Sequence, residues 1–324
     1  MYETFYNLTE KPFNLSPDPN FYYGSKEHNR VLAYLRYGIN QGEGFIVVSG
    51  EIGAGKTTLI GALLEELGKT EDIIAAQLVT TQLEPDDLLK MVAGSFGLRY
   101  AGLSKSELLK EIESFLNKKA AEGKRALLIV DEAQNLQHHS LEELRMLSNF
   151  QHNKRSLLQS FMLGQSEFRD TLRAPNQEQF RQRIIASYHL GPMDKSETQK
   201  YIEHRLKVAG WRGDPHIAND AYAEIYRYTD GIPRRINTLC DRLFLYAFTE
   251  ESHDITHETV EAVVEELDEE IHFSRDDEPA SAYASQEISY ASHPDLSDLS
   301  LEERVARLED IVANARALLH SILR

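Results

Sequence analysis

The chain has 324 residues, with 35 Lys and Arg against 52 Asp and Glu, for a formal charge of −17 at pH 7. That length allows one large domain or two ordinary ones, and 41% hydrophobic with 27% charged residues is an ordinary globular mix. No apolar run approaches the roughly 20 residues that span a bilayer, Met1–Tyr6 lacks the basic start and apolar core of a secretory signal, and a single cysteine excludes an intramolecular disulfide or a cysteine-cluster metal site.

The twelve histidines show no metal-ligand spacing such as HExxH. Cys240 lies in a helical pattern with Ile236, Leu239 and Leu243, which marks it as a small buried side chain. The acidic balance weighs against a duplex-binding protein, which gains affinity by neutralising phosphates. Much of the acidity is local, crowded between Glu250 and Glu278, as in a solvated helix face and linker.

Taken in chain order, the first clear element is a strand over Gly44–Ser49. Gly50-Glu51-Ile52-Gly53-Ala54-Gly55-Lys56-Thr57 follows, and a helix with apolar residues at helical spacing starts at Thr58. Strand, glycine-rich turn and helix start make this a phosphate-binding loop. Its glycines let backbone N–H groups wrap a triphosphate, aided by the helix N-terminus. Lys56 is expected to reach the β- and γ-phosphates, and Thr57 to ligate Mg²⁺.

Ile73–Val79 reads as a strand, with helices at about 85–96 and 104–121. Ala126–Val130 is a continuous apolar run, as in a strand covered on both faces. It runs into Asp131-Glu132-Ala133-Gln134. A strand beside the first is expected to bring Asp131 to the metal through a bound water, with Glu132 orienting the attacking water. A helix at about 140–149 and strands at Gln159–Gly164 and Ala186–Leu190 complete five strands alternating with helices: an α/β fold with a mainly parallel sheet.

Phosphoryl transfer also needs a polar group at the γ-phosphate and cations for the developing charge. Gln165 ends a strand at the loop-bearing edge; a strand cap is its plainer reading. Arg181 and Arg183 lead into the last strand, either as such cations or as surface ion-pair partners. Arg234, after Gly231-Ile232-Pro233, starts a helix able to fold over a bound nucleotide, or carries an ordinary surface charge.

After Pro192 the apolar spacing is helical from Ser196 to about Asp268, broken at Gly210–Pro215 and Gly231–Pro233. The expected organisation is an N-terminal segment over 1–43 packed on the core, a P-loop domain over 44–192, a helical lid over 193–272, an acidic Ser-rich linker over 273–299 and a heptad helix over 300–324. In the last, Leu301, Val305, Leu308, Val312, Ala315, Leu319 and Ile322 alternate four and three apart. That seam suits self-association, a partner, or packing back on the body. The aromatics Phe5, Tyr6, Phe13, Phe21, Tyr22 and Tyr23 suit packing on the sheet domain or a place beside a base.

Together these residues resemble an AAA+ ATPase. Lys11–Pro19, Tyr37-Gly38-Ile39, Leu163-Gly164-Gln165 and Gly231–Asn237 are similar to the general secretion pathway protein A group. Ser49–Thr58, Leu144–Gln151 and Tyr201–Leu206 are most similar to the secretion ATPases of exosortase (PEP-CTERM) gene clusters. The resemblance spans about 1–268. It implies an ASCE-type P-loop core binding ATP and Mg²⁺ through Gly50–Thr58, with Gln165 and Arg234 as sensors. It also implies Arg183, or else Arg181, as a finger on a neighbour's nucleotide, and hence self-assembly, typically in a ring.

The implied setting is the cytoplasm, serving an envelope export or exopolysaccharide machine. Relatives of the wider group often carry a membrane segment and a peptidoglycan-binding part. Neither is expected here, so membrane recruitment is expected through a partner on the C-terminal helix, without direct insertion. A DNA-associated AAA+ regulator and a slowly hydrolysing scaffold are the competing expectations.

Overall fold

The structure is a computed structural model, described here for residues 1–276 apart from 17, 69–71 and 80–84. Met1–Leu267 form one compact unit and Asp268–Arg324 a second. The heptad helix expected over 300–324 lies outside the described residues, as does the linker beyond Asp276.

In chain order the elements are α1 (Tyr2–Phe5), α2 (Lys26–Gln41), β1 (Phe45–Gly50), α3 (Lys56–Leu67), β2 (Ile73–Val79), α4 (Pro85–Ser95), α5 (Lys105–Ala121) and β3 (Arg125–Asp131). Next come α6 (His138–Leu147), the two-residue strands β4 (Gln151–His152) and β5 (Arg155–Ser156), β6 (Leu158–Gly164), α7 (Ser166–Arg173), α8 (Glu178–Arg181) and β7 (Ile184–Leu190). The chain continues through α9 (Lys195–Val208), β8 (His216–Ile217), α10 (Asn219–Thr229), α11 (Pro233–Thr249), β9 (Asp254–Ile255) and α12 (His257–Asp276). Several helix starts follow from polar caps: Ser25 accepts from His28 N at the start of α2, and Ser104 and Glu107 form a capping box on α5.

The sheet runs β2-β3-β6-β1-β7, and every pairing is parallel. Its central strands alternate between two cores. Phe45, Val47, Leu128 and Val130 face one, with α4 to α8; Ile46, Val48, Leu127 and Ile129 face the other, with α2 and α3. Covering both faces explains why these strands read as unbroken apolar runs. Each fully buried aliphatic side chain contributes roughly 1.5–3 kcal/mol, so the alternation fixes the register firmly.

One expectation is corrected here. The Asp131 strand does not lie beside the loop strand, because β6 is inserted between β3 and β1. Pairing order depends on non-local packing, and local pattern does not carry it. The parallel order still brings Gly50, Asp131 and Gly164 to the same edge, each at the end of its strand.

The helices after Pro192 build a separate core with the N-terminus. Tyr2, Tyr6, Leu8 and Phe13 join Ile202, Leu206, Leu239, Leu243 and Phe244. Tyr2 Oη donates to Asp241 Oδ1 at 2.7 Å and Tyr6 Oη to the Ser252 carbonyl at 2.8 Å. The span expected to pack as one segment over 1–43 is therefore split: its start packs on the helical layer, while Tyr22 and α2 pack on the sheet side. The cause is aromatic area, since Phe244 offers edge and tilted contacts to Tyr2, Tyr6 and Phe13 at 5.5–5.8 Å. Cys240 is buried in this core, which pushes its thiol pKa well up. The stretch expected to be helical throughout also holds a short parallel pairing of β8 with β9. Among the described residues, no helix is long and apolar enough to cross a membrane.

Candidate active site

The loop between β1 and α3 turns on two left-handed glycines, Gly53 (φ 81°) and Gly55 (φ 93°), the latter capping α3. A Cβ on Gly53 would stand 2.4 Å from Arg234 Cβ, and one on Gly55 2.9 Å from His28 Nε2. Both positions need glycine twice over, for backbone sign and for space. Lys56 is buried, and its Nζ donates to the carbonyls of Gly50 at 2.7 Å and Glu51 at 2.9 Å. Burial lowers its pKa, against the opposing pull of Glu132 and Asp131.

Thr57 Oγ1 donates to Asp131 Oδ2 at 2.8 Å, linking the first turn of α3 to the end of β3. Asp131 is 3% exposed, and its Oδ1 accepts from Glu132 N at 2.9 Å. Glu132 stands in the left-handed region (φ 54°), which turns the chain sharply at the strand end. Its Oε2 accepts from Gln134 Nε2 at 2.5 Å and from Gln165 Nε2 at 3.2 Å. Gln134 Oε1 in turn accepts from Gln165 N at 3.0 Å. Asp131, Glu132 and Gln165 are thus brought to one edge of the sheet, with Lys56 and Thr57 facing them.

A cavity of about 220 Å³ opens over this edge, lined by Ile52, Gly53, Gly55, Lys56, Thr57, Thr58, Glu132 and Gln165. The helical layer closes it from above through Pro233, Arg234 and Asn237, and residues 14–16 and 21–23 wall its far end. Arg234 N donates to the Gly53 carbonyl at 3.2 Å, so α11 begins directly on the loop. The donor set suits a hard divalent cation: a hydroxyl and a carboxylate already within bonding distance of each other, beside a cradle with no room for a Cβ. Thr57 and Asp131 would hold Mg²⁺, the second through a water.

Residues 39–172 match a family described as an AAA domain. The chain is 40% identical over 258 residues to general secretion pathway protein A of Aeromonas hydrophila, across 79% of this chain and 47% of that protein. It therefore spans about half the length of that relative. Among solved structures it is similar to Cdc6p of Pyrobaculum aerophilum, with a TM-score of 0.63 at 17% identity over 79% of this chain and 70% of that one. It is also similar to the ORC2 protein of Aeropyrum pernix, solved with ADPNP and ADP, with a TM-score of 0.59 at 15% identity over 79% and 71%. The family match and these likenesses together support the fold, a P-loop AAA+ core on a parallel five-stranded sheet. An AAA domain implies nucleotide binding.

Arg181 and Arg183 lie just beyond the matched AAA domain, at the sheet edge opposite the loop. Arg181 Nη1 donates to the Leu172 and Ala174 carbonyls, each at 2.7 Å, and so caps the end of α7. Arg183 is bound to the end of α6, donating to Ser148 Oγ at 3.1 Å and to Asn149 Oδ1. Neither lines the cavity of its own chain. Gln134, inside the matched stretch, and His28, outside it, carry no role in the sequence reading. Gln134 stood in plain view two positions after Glu132, and its side-chain reach was the only signal. His28 lies so far from the loop in sequence that no local pattern marks it.

Proposed function

We propose that the chain is a Mg²⁺-dependent AAA+ ATPase of the general secretion pathway protein A type, working in an envelope export machine. The meeting of Lys56, Thr57, Glu132 and Gln165 on one cavity, with Asp131 hydrogen-bonded to Thr57 behind them, carries the reading, and the 40% identity to general secretion pathway protein A supports the setting. When bound, Mg²⁺ neutralises charge building on the phosphates.

Gly50 to Thr58 cradle the triphosphate in this reading. Lys56 leaves the two loop carbonyls for the β- and γ-phosphates. Glu132 orients a water in line with the γ-phosphorus; its oxygen bonds there as the bond to the bridging oxygen breaks, releasing ADP and phosphate. Gln165 touches both Glu132 and the reacting phosphate. Arg234 reads the nucleotide from the helical layer, which acts as a lid over residues 193–272.

In this reading Arg183, or else Arg181, serves a neighbouring copy's nucleotide; Arg181 caps α7 on two backbone carbonyls, whereas Arg183 is held by two side chains at the end of α6. Self-assembly, typically in a ring, follows from that role. The finer setting is an exopolysaccharide-exosortase (PEP-CTERM) system, reached from the cytoplasm through a partner bound by the C-terminal helix. The test is phosphate release by the purified chain, paired with export in cells whose copy carries Glu132→Gln. Turnover on the bench without any export defect in those cells would remove the setting and leave the enzyme.

A further inference from the structure

His28, on the first turn of α2, is 5% exposed, and its Nε2 lies 3.1 Å from the carbonyl oxygen of Ala54 in the glycine-rich loop. A carbonyl only accepts, so Nε2 carries the proton and donates. The other ring nitrogen, Nδ1, lies 2.6 Å from Ser25 Oγ and accepts its hydroxyl proton. Ser25 Oγ also accepts from His28 N at 3.2 Å, so the residue that caps α2 also fixes the ring. The ring occupies the space a Cβ on Gly55 would need. Burial lowers the His28 pKa, in keeping with a neutral ring.

The same turn is tied to the helical layer. Lys26 N, one of the N–H groups a helix start leaves without an internal partner, donates to Glu197 Oε1 at 2.7 Å. Glu197 is 5% exposed and sits in the first turn of α9, where its own N–H donates to Asp194 Oδ1 at 2.8 Å. The exposed Lys26–Asp194 pair at 3.4 Å adds little. Two residues apart on one helix turn, one bond holds the loop and another holds α9.

We propose that His28 is a positioning residue for nucleotide binding. From the wall of the cavity, which it lines, it holds the Ala54 carbonyl, and so keeps the loop in the form whose free N–H groups turn toward the phosphates. The first turn of α2 then passes a shift of the loop to α9 through Glu197. This inference rests on the ATPase reading above. No hydroxyl or carboxylate at position 28 has the same reach and donor. Glutamine, whose side-chain amide nitrogen can stand near the imidazole Nε2, comes closest.

The test measures Mg-ATP affinity, KM, kcat and melting temperature on the full chain and its His28→Ala, His28→Gln and His28→Asn variants. Leaving a loop carbonyl unmet carries a desolvation penalty, so His28→Ala is expected to weaken ATP binding about 5-fold or more, with kcat within about two-fold. His28→Gln is expected to stay within about three-fold of wild type, and His28→Asn, too short to reach, to behave like alanine. Hydrogen exchange at the start of α9 is expected to respond to ATP in the wild type and not in His28→Ala. Wild-type affinity in either short variant, a glutamine variant as weak as alanine, or an α9 response that survives His28→Ala would each overturn the proposal. Should the alanine variant not fold, the asparagine and glutamine variants still decide. A wild type that binds no more ATP than Lys56→Ala would instead overturn the ATPase reading.

Discussion

Thr57 and Asp131, 74 positions apart, share a hydrogen bond of 2.8 Å between hydroxyl and carboxylate. The first turn of α3, which follows β1, and the end of β3 contribute to that contact although β1 and β3 are not neighbours, since β6 runs between them. The parallel register makes it possible: all strand ends reach one edge, where the loop, the carboxylates and Gln165 meet. The pair is the metal position of the proposed site.

Removing either partner is therefore expected to disable chemistry more than folding. Asp131→Ala and Thr57→Ala are predicted to lower turnover about 10²–10³-fold, the range seen when one fixed polar contact to a transition state is lost. Phosphate release against Mg²⁺ concentration checks this. A variant with normal turnover and an unchanged Mg²⁺ midpoint would remove that residue from the metal position.

Gln134 bridges Glu132 and Gln165, giving one hydrogen bond to a carboxylate and taking one from backbone. Gln134→Ala is predicted to lower kcat about 10-fold or more, because a hydrogen bond to a charged group is worth about 1.5–3 kcal/mol. ATP affinity is expected to hold, since Gln134 lies outside the cavity lining. Steady-state kinetics separate the two; a change confined to KM would contradict the assignment.

The sheet was legible because its strands are covered on both faces. Ala126–Val130 reads as an unbroken apolar run for that reason, and the structure extends it by one residue at each end. The loop was legible because phosphate binding constrains glycine spacing within a few positions. Strand order was not legible, since every central strand carries the same apolar signal. Gln134 and His28 were missed for opposite reasons: one is too ordinary a residue, the other too distant. The N-terminal aromatics were visible as residues, but the partner of Tyr6 and Phe13, Phe244, is set by tertiary packing alone.

Gly53→Ala is predicted to abolish ATP binding while leaving most of the fold intact. The left-handed backbone costs an alanine about 1–2 kcal/mol, and its Cβ would collide with Arg234 Cβ at 2.4 Å. Melting with and without Mg-ATP tests it. The variant is expected to lose the ATP-induced rise; a full rise would show that the loop and α11 can separate without harm.

Lys56 sets an alkaline limit. Burial holds its pKa below the ordinary 10.5, so the ammonium charge is lost at lower pH than in an exposed lysine. ATP affinity is accordingly expected to fall as pH rises through that lowered value, with bound phosphates resisting the loss. Lys56→Arg, which stays protonated, is expected to bind more weakly but without that alkaline fall. Equilibrium titrations at rising pH check it, and parallel profiles for both proteins would refute the assignment.

The two arginines before β7 are predicted to part company. Arg181→Ala should lower the melting temperature, because two carbonyls at the end of α7 lose their donor. Arg183→Ala should instead lower turnover, and mixing it with Lys56→Ala should restore part of it, since each chain supplies what the other lacks. No recovery on mixing, at concentrations where the chain assembles, would remove Arg183 from the neighbour's site.

The most direct measurement is ATP binding and hydrolysis by the wild type, Glu132→Gln and Lys56→Ala side by side. The account predicts Mg²⁺-dependent turnover in the wild type, tight binding with turnover at least about 100-fold lower in Glu132→Gln, and lost binding in Lys56→Ala. Equal turnover in all three would contradict it.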